Sequence, residues 1–73
     1  METFEIKSEY IQLNQLLKAL NWCDGGANAN AIIDDGLVNV NGKQEFRRRN
    51  KILPGMIVEL HHMKVKVVAI VPD

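Results

Sequence analysis

Hydrophobic and polar residues alternate near the start of the chain and then change to a helical spacing. In residues 3–7, Phe4 and Ile6 share one face, which predicts a short first strand with both side chains pointing inward. From Ile11 onward, leucines recur at the i, i+3, i+4, i+7 spacing of one helix face: Leu13, Leu16, Leu17 and Leu20. The pattern therefore predicts a strand and then an amphipathic helix that carries Lys18 on its polar side.

A second helix is predicted after a break at residues 23–26. Asp24 is a residue type that caps helix N-termini, and a run of alanines and isoleucines follows it as far as Ile33. The alanines would let this helix approach the first one closely. Asp34 and Asp35 lie at its C-terminal end, where negative charge opposes the helix dipole, and no neighbouring residue in the sequence explains this placement.

Residues 34–43 predict a helix end, a short strand and a sharp turn. Gly36 is the residue type that most easily takes the left-handed conformation that closes a helix. Residues 37–40 alternate as a strand. Asn41-Gly42 predicts a type I′ hairpin turn, because this turn needs positive φ at both central residues. Residues 44–46 would complete the return strand.

The C-terminal third of the chain predicts further strands. Residues 56–60 alternate as a strand, and residues 61–63 would connect them to a last strand, 65–69, that ends before Pro72. The resulting order predicts an α+β fold in which two short helices pack on a small antiparallel sheet. Because 73 residues leave no room for a second core, we expect one domain spanning residues 1–73.

Charge is distributed unevenly, although the formal net charge is zero. Residues 1–36 hold two lysines and six acidic residues, a net charge of −4, whereas residues 37–73 hold seven basic and three acidic residues, a net charge of +4. An acidic half joined to a basic half indicates a polarised surface. Its basic side is a candidate contact for a polyanion.

The concentrated positive charge lies in the basic loop, which we define as residues 47–51 (Arg47-Arg48-Arg49-Asn50-Lys51). Three arginines and a lysine so close together cannot all be buried, and the planar fork of arginine suits bidentate contact with phosphate. The backbone N–H groups of Gly25 and Gly26, ahead of the second helix, offer a second anion site. Together they could hold two phosphates of a structured RNA, and a basic loop that is only solvated remains the alternative.

The order and spacing of these segments resemble a known family between about residues 11 and 60. After a short helix pair, Ile32-Ile33-x-x-Gly36-x-Val38-x-Val40-Asn41-Gly42 and Pro54-Gly55-x-Ile57-Val58-Glu59 resemble the αL RNA-binding motif first described in small-subunit ribosomal protein S-four. The chain resembles the stand-alone bacterial branch of this family, the YbcJ/YaaA-like proteins, more closely than it resembles the broad family. The chain shares with that branch Ile11-x-Leu13-x-Gln15-Leu16-Leu17-Lys18, Gly25-Gly26-x-x-Ala29, and Arg47-Arg48 followed by Lys51.

This resemblance implies RNA binding without catalysis, to structured RNA such as ribosomal RNA or tRNA in preference to mRNA. It implies a contact surface made by the start of the second helix, the adjoining sheet edge and the basic loop. The residues it names are Lys18, Gly25, Gly26, Lys43, Arg47, Arg48, Arg49 and Lys51. The chain departs from the pattern at Gly25-Gly26, where broad family members usually have Ser-Arg, and at Asn30, where the branch usually has lysine. We therefore expect binding to depend mainly on the basic loop.

Other binding modes remain open at this stage. The basic loop could instead dock on an acidic partner protein, which would make the chain a protein-interaction module. A DNA-binding function is disfavoured because the second helix has no basic side chain to read a groove. The few aromatic residues do not predict the exposed row that stacks single-stranded RNA. We expect Phe4 and Phe46 in the core and Trp22 packed on the second helix, with base stacking by Trp22 as the alternative.

Catalysis and metal binding are not favoured by the sequence. His61 and His62 are adjacent and lack further ligands for a metal ion, and Asp24 beside Cys23 opposes thiolate formation. We expect no catalytic residue, no metal and no cofactor. A single cysteine, no signal peptide and no apolar run long enough to span a bilayer lead us to expect a cytoplasmic monomer that does not engage a membrane.

Overall fold

Two short helices, a five-stranded sheet and a separate two-stranded pair make up the computed structural model, which describes residues 2–70. The strands are β1 (Glu2–Ile6), β2 (Ile11–Gln12), β3 (Val38–Val40), β4 (Lys43–Gln44), β5 (Lys51–Ile52), β6 (Ile57–Leu60) and β7 (Met63–Ala69), and the helices are α1 (Leu13–Ala19) and α2 (Gly26–Asp34). The large sheet has the order β1-β7-β6-β3-β4, and β2 pairs with β5. The predicted α+β fold, with two helices on a small sheet, is confirmed, although β1 and β7 run parallel and only the other described pairs are antiparallel.

A single cluster of buried side chains joins both helices to the sheet. Of the four leucines predicted to face inward, Leu13, Leu16 and Leu17 are fully buried, and Leu20, just after α1, is partly buried against the cluster. Alternate residues of the strands supply the rest of the cluster, together with two from α2: Ile6, Ala29, Ile33, Val38, Val40, Ile52, Val58, Leu60, Val65 and Val67. Phe4 and Trp22 are partly buried against this cluster, as their apolar character predicts.

The predicted glycine turns are confirmed. Asn41 and Gly42 have φ of 53° and 83°, as a hairpin turn with two left-handed residues requires. Gly36 ends α2 with φ of 73°. A Cβ at Gly36 would also lie 2.4 Å from Nε2 of Gln44 and 2.9 Å from Cε1 of Phe46. The positive φ therefore favours glycine at position 36, and a side chain there would displace the side chains of Gln44 and Phe46.

Two predicted boundaries are wrong, one because of a strand pair that the sequence pattern does not reveal and one because a strand ends early. α1 begins at Leu13 and not at Ile11, since Ile11 is paired with Ile52 in the small β2–β5 ladder. The return strand of the hairpin ends at Gln44, and Phe46 is 54% exposed instead of buried in the core.

Asp24 does not cap α2. Gly25 occupies the cap position without a side-chain hydrogen bond, and the backbone N–H of Asp24 donates to Oδ1 of Asn28 at 3.2 Å. The last strand already begins at Met63, and the predicted stop at Pro72 lies outside the described residues. No helix within residues 2–70 is long and apolar enough to cross a membrane.

Candidate nucleic-acid interface

The backbone of the basic loop is fixed on the N-terminus of α1. The first N–H groups of a helix have no partner within the helix, and Gln12 supplies no side-chain cap here. Two carbonyls of the basic loop take this role: the N–H of Leu13 donates to the oxygen of Asn50 at 2.9 Å, and the N–H of Asn14 donates to the oxygen of Arg48 at 3.0 Å. The loop therefore has a defined path that does not depend on its charged side chains.

The C-terminal end of the basic loop is anchored by the β2–β5 pair. Ile52, directly after Lys51, is fully buried in the core. Lys51 pairs with Gln12 through the backbone, and its ammonium lies 4.9 Å from the ring centre of Tyr10. This distance is within the range of a cation–π interaction, which holds the lysine head group at the surface beside the loop.

Arg48 joins the basic loop to the end of α2. Its Nε donates a hydrogen bond of 2.9 Å to Oδ1 of Asp34, and its Nη2 donates to Oδ2 of the same carboxylate. These hydrogen bonds lower the pKa of Asp34 from its ordinary value, and raise that of Arg48. The pair also explains why an aspartate is tolerated at a helix C-terminus, because Arg48 brings the positive charge that the dipole favours there.

The positive charge of Arg47 is paired with the carboxylate of Glu45, two residues before it. Nη2 of Arg47 lies 2.9 Å from Oε1 of Glu45, and the backbone N–H of Phe46 donates to Oε2 of Glu45 at 3.0 Å. The hydrogen bonds from Arg47 are the main reason that the pKa of Glu45 is lowered. Two of the three loop arginines therefore already have a carboxylate partner.

Arg49 differs from its neighbours. Within residues 2–70 the ion pairs are Arg47–Glu45, Arg48–Asp34 and Lys64–Glu59, and none of them involves Arg49. Its side chain is exposed, as is that of Lys43 on the edge strand β4. Arg49, Lys43 and Lys51 thus form no ion pair within residues 2–70, and their full charge is available to an anion.

The other predicted anion site lies at the start of α2. A Cβ placed on Gly26 would be 3.7 Å from Nζ of Lys18, so the ammonium group lies beside the helix N-terminus. Gly25 and Gly26 thus lie near Lys18, as the predicted site requires. The partial positive charge at the N-terminus of α2 and the charge of Lys18 both attract an anion to this site.

The two predicted anion sites lie at opposite ends of α2. A rise of about 1.5 Å per residue places Gly26 about 12 Å from Asp34, where Arg48 binds. Asn30 lies between the two sites, partly buried, and accepts a hydrogen bond of 3.2 Å from Nδ2 of Asn14 on α1. Oδ1 of Asn14 is buried and has no hydrogen-bond partner within the described residues. Position 30 therefore lies between the two ends of α2 and contacts α1.

Sequence reasoning missed three residues of this region. Glu45 precedes Arg47 by only two positions, so its role as a counter-ion was accessible from the sequence. Asp34 is 14 residues from Arg48, and no local pattern reports that pairing. Phe46 follows two strand-like residues, so the pattern predicts a core position, but the return strand ends before it and leaves it exposed.

Known proteins are similar in sequence to most of this chain, in agreement with its fold. Residues 4–68 match the sequence family described as the S4 domain. YbcJ of Escherichia coli (strain K12) is 40% identical over 70 residues, which cover 94% of this chain and all of that protein. YbcJ of Shigella flexneri gives the same identity and coverage.

A solved structure supports the same assignment. The solution structure of Escherichia coli YbcJ, described as revealing an αL motif involved in RNA binding, superposes with a TM-score of 0.72. The match covers 94% of this chain and 89% of the other. With this fold, and with a family match over residues 4–68, the chain belongs to the S4 domain family.

Proposed function

We propose that this chain is a non-catalytic RNA-binding protein that recognises structured RNA through the basic loop and the start of α2. The observation that carries the proposal is the attachment of the basic loop backbone to α1, which presents Arg49 with no ion-pair partner among residues 2–70. A fixed loop loses less conformational entropy on binding than a mobile one. The αL motif of Escherichia coli YbcJ, described as involved in RNA binding, supports the same function.

Phosphate groups are the expected contacts of the basic loop. Arg49 and Lys43 can bind them without losing an existing partner. Arg48 uses Nε and Nη2 for Asp34, which leaves its Nη1 group for a phosphate oxygen. Arg47 is paired through the same edge of its guanidinium with Glu45, so its Nη1 group is available in the same way. Asp34 and Glu45 thus reduce the net charge of the loop without closing it to anions.

A second phosphate would bind at Gly25 and Gly26 beside Lys18. This site lies at the opposite end of α2 from Asp34, which Arg48 contacts, and two sites on one helix favour an RNA of fixed shape over a flexible strand. We propose ribosomal RNA or tRNA as the ligand, a cytoplasmic location, and a monomer as the binding species. The exposed lysine Lys51, held on Tyr10, extends the basic surface on the other side of Arg49.

The proposed function is tested by titrating the protein with tRNA, with ribosomal RNA fragments and with a DNA duplex over a range of salt concentrations. If the loop makes about three to four phosphate contacts, log K against log salt has a slope of about −2 to −4. We expect RNA to bind more tightly than DNA at every salt concentration. Measurable RNA affinity without salt dependence would contradict the electrostatic mechanism. Binding to an acidic protein but to no RNA would favour the protein-interaction module.

A further inference from the structure

Phe46 is an exposed aromatic residue directly beside the basic loop. Its side chain is 54% exposed, and it precedes Arg47 in the chain. Single exposed apolar residues are common on protein surfaces and need no explanation by themselves. Phe46 differs because its ring is held in place and because positive charges follow it in the sequence.

The ring is supported on one side by the end of α2. Cε1 and Cζ of Phe46 lie 2.9 and 3.1 Å from the position that a Cβ on Gly36 would take. The ring therefore fills the space that glycine leaves open. The backbone just before the ring is attached to β3, because the N–H of Glu45 donates to the carbonyl oxygen of Val38 at 2.9 Å. A ring fixed in this way loses little freedom when a flat ligand packs on its exposed part.

We propose that Phe46 stacks on an unpaired nucleobase of the RNA whose phosphates lie on the basic loop. The inference rests on the proposed function and specifies its ligand as a structured RNA with a bulged or looped-out nucleotide. In a continuous A-form helix the faces of the bases are already stacked on each other, so only an unpaired base can offer a face to the ring.

The spacing suits one short RNA segment. From Phe46 to Arg49 the chain spans at most about 11 Å, because consecutive Cα atoms are 3.8 Å apart. A nucleotide stacked on Phe46 therefore has its flanking phosphates close to the loop arginines. Stacking on an aromatic ring tolerates every base, since each base has a π-face. The site thus detects the presence of an unpaired base and not its identity.

The test uses three synthetic RNA hairpins that differ at one position. The first has a single bulged 2-aminopurine, the second has an abasic residue at the bulge, and the third is fully paired. We compare the wild type with Phe46→Leu, which keeps apolar volume against Gly36, and with Phe46→Tyr, which keeps the ring. Melting temperatures of all three proteins verify that they are folded.

We expect the wild type and Phe46→Tyr to bind the bulged hairpin more tightly than the abasic one and to quench 2-aminopurine fluorescence. Phe46→Leu should lose between about fivefold and about a hundredfold in affinity for the bulged hairpin, as measured for the removal of stacking aromatics. All three proteins should bind the abasic hairpin alike.

Two results would overturn the stacking proposal, and they are distinguishable. If folded Phe46→Leu binds the bulged hairpin as tightly as the wild type, while affinity still falls with salt, stacking is wrong and the phosphate contacts stand. If the wild type binds none of the three hairpins at low salt, the proposed RNA-binding function fails together with the inference.

Discussion

Arg48 and Asp34 form a two-point ion pair that fastens the basic loop to the C-terminus of α2, with Nε of the arginine 2.9 Å from Oδ1 of the aspartate. The two residues are 14 positions apart, so the contact is made only when the helix and the loop have folded together. The pair places a positive charge at a helix end that needs one. Because the pair also occupies part of the guanidinium, we expect Asp34 to lower the affinity for RNA.

Removing the negative charge of Asp34 should strengthen RNA binding. In Asp34→Asn, the charge opposite Arg48 is lost, and its guanidinium can turn fully to phosphate. We expect higher affinity for structured RNA and a salt slope more negative by about 1, as one further phosphate contact gives. The control is Asp35→Asn, which removes the same charge from an exposed neighbour that forms no ion pair within residues 2–70. Equal effects of the two substitutions would mean that only overall charge matters.

The same pair makes a pH-dependent contribution to folding. The hydrogen bonds from Arg48 lower the pKa of Asp34 in the folded state below its ordinary value of 3.8. A depressed folded-state pKa stabilises the fold above the unfolded-state value, and this stabilisation is lost as pH falls through the folded-state pKa. We therefore expect the wild type to unfold at higher urea concentration than Asp34→Asn near neutral pH. The difference should shrink in acid below pH 3.8. A difference that stays constant down to pH 2 would show that the carboxylate is not its source.

We expect a side chain at Gly36 to destabilise the fold more than a side chain at Gly42. In Gly36→Ala the new Cβ would meet Gln44 and Phe46 at a positive φ of 73°, and we expect a loss of about 1–3 kcal/mol. A Cβ on Gly42 meets nothing within 4 Å at φ of 83°, so Gly42→Ala serves as the control for backbone strain alone. Thermal unfolding of both variants measures the difference. A melting temperature of Gly36→Ala at or above that of Gly42→Ala would contradict the packing of Phe46 on Gly36.

Asn30→Lys should increase RNA affinity, because position 30 lies on α2 between the two proposed phosphate sites. We expect tighter binding and a salt slope more negative by about 1. Ala31→Lys adds the same charge at the next, exposed position of α2 and is the control. If both variants bind RNA equally well, position 30 does not face the ligand.

Local patterns predicted the parts of the fold that depend on neighbouring residues. The leucine spacing gave the buried face of α1, and Asn41-Gly42 and Gly36 gave the turns, because each needs only the conformation of its own residues. The β2–β5 pair was not predictable in this way, since two-residue strands have no periodicity and Ile11 meets Ile52 from a distant part of the chain.

The candidate site, too, was only partly predictable from local patterns in the sequence. A charge run identifies the basic loop, but it does not report which arginines are compensated. The contact of Arg48 with Asp34 depends on how α2 and the loop are placed in three dimensions. The exposure of Phe46 depends on where β4 ends, which the alternation of residues does not predict. The sequence therefore indicates the kind of ligand, whereas the structure distinguishes Arg49 from Arg47 and Arg48.

The most direct test of the account compares two variants that each lose three exposed positive charges. One carries Arg47→Ala, Arg48→Ala and Arg49→Ala in the basic loop, and the other carries Lys7→Ala, Lys64→Ala and Lys66→Ala outside it. Both should stay folded, because exposed charges contribute little to stability and the backbone hydrogen bonds to Leu13 and Asn14 remain.

Affinity for one structured RNA is measured for both variants at one fixed salt concentration. We expect the loop variant to lose at least tenfold in affinity, about 1.4 kcal/mol, and the control variant to lose clearly less. If the folded loop variant binds like the wild type, or if both variants lose the same affinity, the basic loop is not the RNA-binding surface.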